Sequence, residues 1–321
     1  MAEALAEKST SLRVLTNSAM SEFKRCRRRY KYAYVDRLRP LTDKKAFAFG
    51  SAGHEAVNIL ETEGLEAAIC SCECSDRLDD FERQTLAALI RGFADRYGTS
   101  SLETVSREEK FERPIRNPES NAPSRTFVAG GKVDGKVTLE GNRPALLERK
   151  FIKESPSLKL WNRLLIDTQV SHYCLHTGIG TVVYDVIRKP AMEPYKATPI
   201  DKRKYKADGT LYANQREFDE TPSEWGVRLY ADICERPDFY YGRREIPRLL
   251  SDLEQYESEQ WDIAKDIRDA ELNDRWYRNS NQFNCDNCQY FDICTGFVPY
   301  EGTHAPDGFQ FVENANTELM E

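Results

Sequence analysis

Asp134, Glu148 and Lys150 have the types and spacing for acid, base or metal chemistry. In GGKVDGKVTLE, strand alternation puts Val133, Val137 and Leu139 on one face and Lys132, Asp134 and Lys136 on the other. In PALLERKF, Glu148 and Lys150 lie two residues apart, so a strand projects both to one face while Arg149 takes the other. An aspartate and a glutamate form a hard-oxygen pair suited to Mg2+ or Mn2+. A lysine beside them can steady charge developing on a phosphate or on an attacking water. Taken alone, D-x13-E-x-K also describes a solvated strand face. Gln169 and Tyr173, one helical turn apart on the next helix, add weight to the chemical reading. So does His54, expected at the start of its own helix after Gly53, although a lone histidine is more often packed or at the surface.

A second constellation is built on sulfur. CDNCQYFDIC places Cys285, Cys288 and Cys294 in a C-x2-C-x5-C array beside Tyr290, Phe291 and Phe297, and closely spaced thiolates signal metal. Three ligands leave such a site one short. His304 would complete a local Cys3His zinc site, whereas Cys26 would complete an all-cysteine site, which suits an iron–sulfur cluster. Cys26 sits in KRCRRRYK, where six of eight residues are basic and only Glu22 and Asp36 are nearby acids. Exposed arginines there would contact nucleic-acid phosphates, the alternative being a helix solubilised by charge. Cys70, Cys72 and Cys74 read as a loop of free thiols, and Cys174 and Cys234 as packing residues. Tyr240, Tyr241, Arg243 and Arg244 suit either a base-stacking platform or a core strand with a basic face.

These residues need elements to hold them. A chain of 321 residues, 40% hydrophobic and 31% charged, suits one large domain with appended parts or two domains under a polar surface. Its net charge of -7 neither requires nor excludes nucleic acid, because a local basic stripe can hold phosphates. No apolar run approaches the ~20 residues of a membrane span. The opening MAEALAEKSTSLRVLTNSAM lacks an apolar signal core, so a cytoplasmic protein with nine reduced cysteines is expected.

The 3–4 spacing of Phe23, Cys26, Tyr30 and Tyr34 predicts one helix over 18–35, capped by Ser18 or Ser21, with Cys26 inward. Gly50 and Gly53 read as a loop into the helix of His54, and 77–97 as an amphipathic helix. EKFERPIR, RTFVAGGKVDGKVTLE and PALLERKF are strands; 161–177 is helical, TVVYDVIRKP a strand and 245–272 a long helix. This alternation predicts an α/β core with a mixed sheet flanked by helices. The expected division is a disordered N-terminus (1–15), a helical region (16–98), the core (105–190), a polar connection and long helix (191–284), the cysteine segment (285–300) and a flexible acidic tail (301–321).

In chain order, His54 in FGSAGHEA, Asp134 in GGKVDG, Glu148-Arg149-Lys150 and Gln169-x3-Tyr173 resemble the motifs of RecB-like PD-(D/E)XK nucleases, from about residue 16 to residue 300. The resemblance implies a restriction-endonuclease-like core and a metal-dependent deoxyribonuclease. It implies His54, Asp134 and Glu148 as ligands of Mg2+ or Mn2+, helped by a backbone carbonyl near Arg149. Imidazole among the ligands suits Mn2+ better. Lys150 would position or activate the water, while Gln169 and Tyr173 orient the site and the DNA strand. A subset of these nucleases, AddB-type subunits and CRISPR-adaptation nucleases, carries one early and three late cysteines around a [4Fe–4S] cluster. The early one lies in a C-x3-Y helix similar to Cys26–Tyr30 here.

The resemblance therefore implies Cys26, Cys285, Cys288 and Cys294 as cluster ligands in a C-terminal iron–sulfur cap, with zinc as the alternative. Arg25, Arg27, Arg28 and Arg29 would then lie against the DNA backbone. It further implies an exonuclease on single-stranded ends, in DNA repair, recombination, phage DNA metabolism or CRISPR adaptation. Helicase, recombination or CRISPR-adaptation proteins would be its partners, and no membrane. Two other readings stand beside it. One is a DNA-binding subunit with a silent nuclease site, against which the complete His–Asp–Glu–Lys set argues; the other is a redox-sensing iron–sulfur protein.

Overall fold

A computed structural model describes residues 12–41, 45–98 and 102–320. The expected disorder of residues 1–15 falls outside this range up to residue 11, but Arg13–Leu15 form strand β1. Helix α1 (Asn17–Arg25) follows, capped by Thr16, whose hydroxyl accepts from the Ala19 N–H at 3.2 Å. The predicted single helix over 18–35 is broken. Cys26 is extended, at φ −164° and ψ 116°, and separates α1 from the turn α2 (Arg27–Tyr30), which widens into a π-helical turn over Lys31–Val35. The apolar spacing survives on both sides of the break, because Phe23 and Tyr30 are buried edge to face.

After β2 (Leu38–Pro40) come α3 (Lys45–Glu63), α4 (Leu65–Glu73) and α5 (Asp80–Tyr97), the last with an Asp79–Glu82 capping box. Two expectations fail here. Gly50 and Gly53 lie inside α3, so His54 is in mid-helix; Gly53 provides room, since a Cβ there would come 2.5 Å from the Phe151 ring. Cys70 and Cys72 belong to α4, with Cys72 buried and Cys74 at the C-cap, and so do not form a loop of thiols.

Strands β3 (Glu103–Arg116), β4 (Pro123–Leu139), β5 (Arg143–Ile152), β6 (Thr181–Arg188) and β7 (Tyr241–Pro247) join β1 in a mixed sheet. Its order is β1-β4-β5-β6-β7, with β3 also paired to β4. Between the parallel strands β5 and β6 lie α6 (Leu158–Leu164) and α7 (Thr168–Thr177), two helices where the sequence suggested one. A polar stretch then leads to α8 (Pro222–Glu235) and α9 (Pro237–Tyr240), ahead of β7.

The register holds the feature that matters. β3 takes one edge of β4, while β1 pairs with Phe127–Ala129 and β5 with Gly135–Leu139 on the other. Residues 130–134 of that second edge therefore pair with neither strand. The last β4–β5 pair is Gly135 with Leu147, and the next in register would be Asp134 with Glu148. The strands fork there.

One face of the sheet is covered by α3, α4, α5 and α8, around Leu60, Leu86, Phe93, Trp225 and Tyr241. Helices α6 and α7 cover the other with Leu160, Trp161 and Val170 on Leu146, Tyr184 and Val186. Helix α10 (Leu250–Leu272) packs with α1 through Phe23, Tyr256 and Ile267. Beyond it, α11 (Gln282–Cys285), α12 (Phe291–Thr295) and the turn between them carry the late cysteines over a small core of Tyr32, Leu38, Tyr290 and Ile293. Strand β8 (Phe309–Phe311) pairs antiparallel with β2, so the expected flexible tail is fastened near its start. Tyr240 and Tyr241 are buried and Arg243 binds Asp185 at 2.5 Å, which leaves the core strand rather than the stacking platform. Cys174 is buried as expected, but Cys234 is exposed. No helix among the described residues is long and apolar enough to cross a membrane.

Candidate active site and cysteine cap

The fork strips main-chain groups of their strand partners, and buried main-chain groups must find others. Asp134 supplies one replacement: its Oδ2 accepts from the Arg149 N–H at 2.8 Å. His172 supplies the other, with its Nε2 3.0 Å from the Gly130 carbonyl. Burial lowers the pKa of His172 to about 3, so the ring is neutral; it donates from Nε2, and Nδ1 accepts from Tyr256 Oη at 3.2 Å and Gln260 Nε2 at 3.0 Å. Glycine is required beside it. A Cβ on Gly130 would lie 2.3 Å from Val14, and one on Gly131 would lie 2.7 Å from the Phe111 ring and 2.9 Å from the Tyr173 ring.

Both carboxylates at the fork resist ionisation. Burial pushes Asp134 up to about 6 against the opposing pull of the Arg149 amide. Burial also pushes Glu148 up to about 7; Lys150 opposes that rise and Asp134 adds to it. Glu148 Oε2 is buried with no hydrogen-bond partner. His54 reaches in from α3, its Nδ1 3.5 Å from Asp134 Oδ2, and burial lowers its pKa, which leaves a neutral ring with a lone pair.

The Lys150 ammonium lies 3.1 Å from Glu148 Oε1, 3.1 Å from Asp167 Oδ2 and 3.3 Å from Gln169 Oε1. Burial alone would lower its pKa, but Glu148 and Asp167 reverse this and raise it, so it remains a cation. Gln169 Nε2 in turn donates to Tyr173 Oη at 3.2 Å. The structure thus brings Asp134, Glu148, Lys150, Gln169, Tyr173 and His54 to one place. Sequence reasoning missed Asp167, which caps α7 by accepting from the Gln169 N–H at 3.0 Å. Its signal is an aspartate at a helix start, hidden because the sequence pattern runs 161–177 together as one helix.

Arg149 fixes how α3 sits on β5. Its guanidinium donates to Asn58 Oδ1 at 3.1 Å and to the Glu61 carboxylate, which also holds Arg107 at 3.3 Å. His54 lies on the same helix and is positioned by that fork. Two reluctant acids, an orphaned oxygen and a neutral imidazole are the donor chemistry that a hard divalent cation satisfies. Among the described residues no group of three or more His, Cys, Asp or Glu is drawn close enough to hold an ion, at the fork or among the cysteines.

The four predicted cysteines meet elsewhere. Cys26, Cys285, Cys288 and Cys294 line one cavity of about 40 Å³, with Arg28 and Arg29 in its wall. The break after α1 serves this: the Asn279 N–H lies 3.5 Å from Cys26 Sγ, while the Asn279 and Asn284 amides hold the Arg25 carbonyl at 3.0 and 3.1 Å. Burial raises the pKa of the Cys288 thiol. Arg29 Nη1 is buried there without a hydrogen-bond partner. His304 is exposed beside Thr303 and does not line the cavity.

The basic run is not arranged as expected. Arg27 pairs with Asp266 at 2.9 Å, Arg28 donates to the Trp276 carbonyl at 2.8 Å, and Arg29 meets Glu22 at 2.5 Å. Arg25 approaches the Phe283 carbonyl at 3.4 Å. The arginines of the run are half-buried where full exposure was expected: Arg25, Arg27 and Arg28 find partners on α10 and the segment after it, more than 200 residues away in sequence, and Arg29 finds one on α1.

A profile of the family described as the PD-(D/E)XK nuclease superfamily matches residues 14–150. That is under half of the chain, but it spans His54, Asp134 and Glu148 and ends on Lys150. A search of curated proteins gives no match. Among the solved structures that match, one titled "Crystal structure of SSO0001" is 13% identical and covers 90% of this chain and 89% of its own, at a TM-score of 0.35. A likeness that low carries no argument. Over residues 14–150, therefore, the chain is similar to the PD-(D/E)XK nuclease superfamily.

Proposed function

We propose that the chain is a metal-dependent deoxyribonuclease whose His54, Asp134 and Glu148 hold Mg2+ or Mn2+. The observation that carries this reading is the fork between β4 and β5, where half-buried Asp134 and buried Glu148 are the next positions in register and Glu148 Oε2 has no partner. When bound, the cation supplies Lewis-acid polarisation of the phosphate and a lowered pKa for water. The chain's own residues do the rest. Lys150 keeps its proton, so it opposes negative charge on the phosphate and does not act as the base. Asp167 and Gln169 hold it in place, and Tyr173 fixes Gln169.

Cys26, Cys285, Cys288 and Cys294 fit a [4Fe–4S] cluster by donor type and by sharing one cavity. Such a group would join the two ends of the chain, and Arg28 and Arg29 would offset its negative charge. Zinc through His304 is the weaker fit, since that ring lies outside the cavity. Action on single-stranded ends, in repair, recombination, phage DNA metabolism or CRISPR adaptation, rests on the sequence resemblance. Digestion of end-labelled and circular DNA with Mg2+ or Mn2+ tests the reading. Cleavage of neither substrate would sink it, and cleavage of circles would remove the exonuclease part.

A further inference from the structure

The chain leaves the sheet at the end of β6, close to where Val186 pairs with Lys150, and Lys189 N–H still donates to the Ile152 carbonyl at 2.7 Å. The polar stretch that follows is organised by its own hydrogen bonds. Gln215 accepts from the Lys204 N–H at 2.6 Å and donates to the Lys202 carbonyl at 3.0 Å. Tyr205 bridges Leu211, Lys206 N–H donates to the Thr210 carbonyl at 2.7 Å, and Gly209 turns the tip at φ +81°. The outcome is a small hairpin whose main-chain groups are occupied while its lysine side chains are not.

Lys202, Lys204 and Lys206 are exposed and have no ion-pair partner among the described residues. Arg203 is already used, donating to the Thr198 and Glu217 carbonyls. Of the acids on this segment, Asp208 is held by Thr210 and Asp201 is exposed. Tyr205 stands between the lysines at 57% exposure and Tyr212 across the hairpin at 49%. Ammonium groups alone would serve any polyanion. Exposed rings on a pre-formed hairpin add a surface that only unpaired bases can stack on.

We infer that the hairpin around residues 202–212 is a binding surface for single-stranded DNA, an inference that rests on the nuclease reading. The test uses a fluorescent oligothymidylate in EDTA, which suppresses cleavage, with anisotropy read over a salt series. Lys202→Gln, Lys204→Gln and Lys206→Gln together preserve the main-chain bonds. They should weaken binding and make the slope of log K against log salt shallower by roughly two, at about 0.7 per lost contact. Tyr205→Ala with Tyr212→Ala should weaken binding roughly tenfold with the slope unchanged.

Wild-type affinity and slope in both variants would overturn the inference. So would equal losses on duplex and single strands, or tighter binding of the hairpin to phosphatidylserine vesicles than to the oligonucleotide. Cleavage of end-labelled DNA by the wild-type chain keeps the two readings separate: with cleavage intact, only the hairpin assignment falls.

Discussion

The fork and the cysteine cap are two candidate metal sites built on different principles. At the fork, each donor stands on a long element: Asp134 on β4, Glu148 and Lys150 on β5, His54 on α3, Gln169 on α7. Hydrogen bonds already fix them, as Asp134 caps the Arg149 amide and Arg149 clamps α3. In the cap, Cys26 is one extended residue, Cys285 and Cys294 sit on helices of four and five residues, and Cys288 lies in the turn between those helices. A site on rigid elements is pre-organised, and its metal adds chemistry. A site on turns leaves more of its order to the ligand, whose binding free energy then becomes folding free energy.

The largest effect should separate these roles at Asp134. Asp134→Asn keeps an oxygen to accept from the Arg149 amide but loses the charge. Cleavage of end-labelled DNA should fall by roughly 100-fold or more, while thermal unfolding stays near wild type. If Asn supports full cleavage, Asp134 only caps an amide and the fork is not the site.

Cys26→Ser should show the opposite pattern. It should remove iron and sulfide from anaerobically purified protein and expose the chain after residue 284 to protease, with cleavage falling only as far as stability does. His304→Ala should leave the metal content unchanged. A full complement of iron and sulfide in Cys26→Ser would reduce Cys26 to packing, and release of zinc by His304→Ala would replace the cluster with a zinc site.

Acid sharpens the contrast further, because the fork is braced by buried His172, which has half-buried His176 beside it. His172 and His176 are lowered from 6.5 to about 3 and about 4 by burial, with the neighbouring His176 also lowering His172. They face Tyr256, Gln260 and the Phe111 ring. Below pH 6.5 the unfolded chain takes up protons that the folded chain refuses. Stability should therefore fall on acidification through this window, by up to about 1.4 kcal/mol per pH unit for each ring. Denaturant titrations at neutral and mildly acidic pH check this. His172→Gln should reduce the slope, and an unchanged slope would show that the ring is not held neutral.

What the sequence disclosed follows from the range of the forces involved. Strand alternation is local, so the faces of Asp134 and of Glu148 with Lys150 were legible in GGKVDG and LLERK. The alternation of strands and helices was enough for a mixed sheet. The fork was not legible, because it depends on where β1 stops and β5 begins along the same edge of β4. Asp167 was lost with the boundary between α6 and α7, and His54 was misplaced because Gly50 and Gly53 lie inside α3, where Gly53 packs against Phe151, and do not turn the chain. The cysteine spacing suggested a shared site for Cys285, Cys288 and Cys294, and these three line one cavity with Cys26. The break at Cys26 is set by Asn279 and Asn284, which no local pattern near residue 26 contains.

The smallest effect concerns the basic run. A helix of exposed arginines would lose phosphate contacts when they are neutralised, and the salt slope for DNA would flatten with each one. Arg27 instead lies over the rings of Phe23 and Tyr277, at 4.7 Å from each, and pairs with Asp266, which is itself 62% exposed. An exposed pair of this kind contributes about 0.2–1 kcal/mol. Arg27→Gln should therefore lower stability by roughly that amount, through loosened packing of α1 on α10, and leave the salt slope at its wild-type value. Measured beside the hairpin lysines on the same oligonucleotide, it decides which basic cluster meets the DNA. A slope shallower by about 0.7 for Arg27→Gln alone would return the phosphate contact to the cap and place the bound strand beside the cysteines.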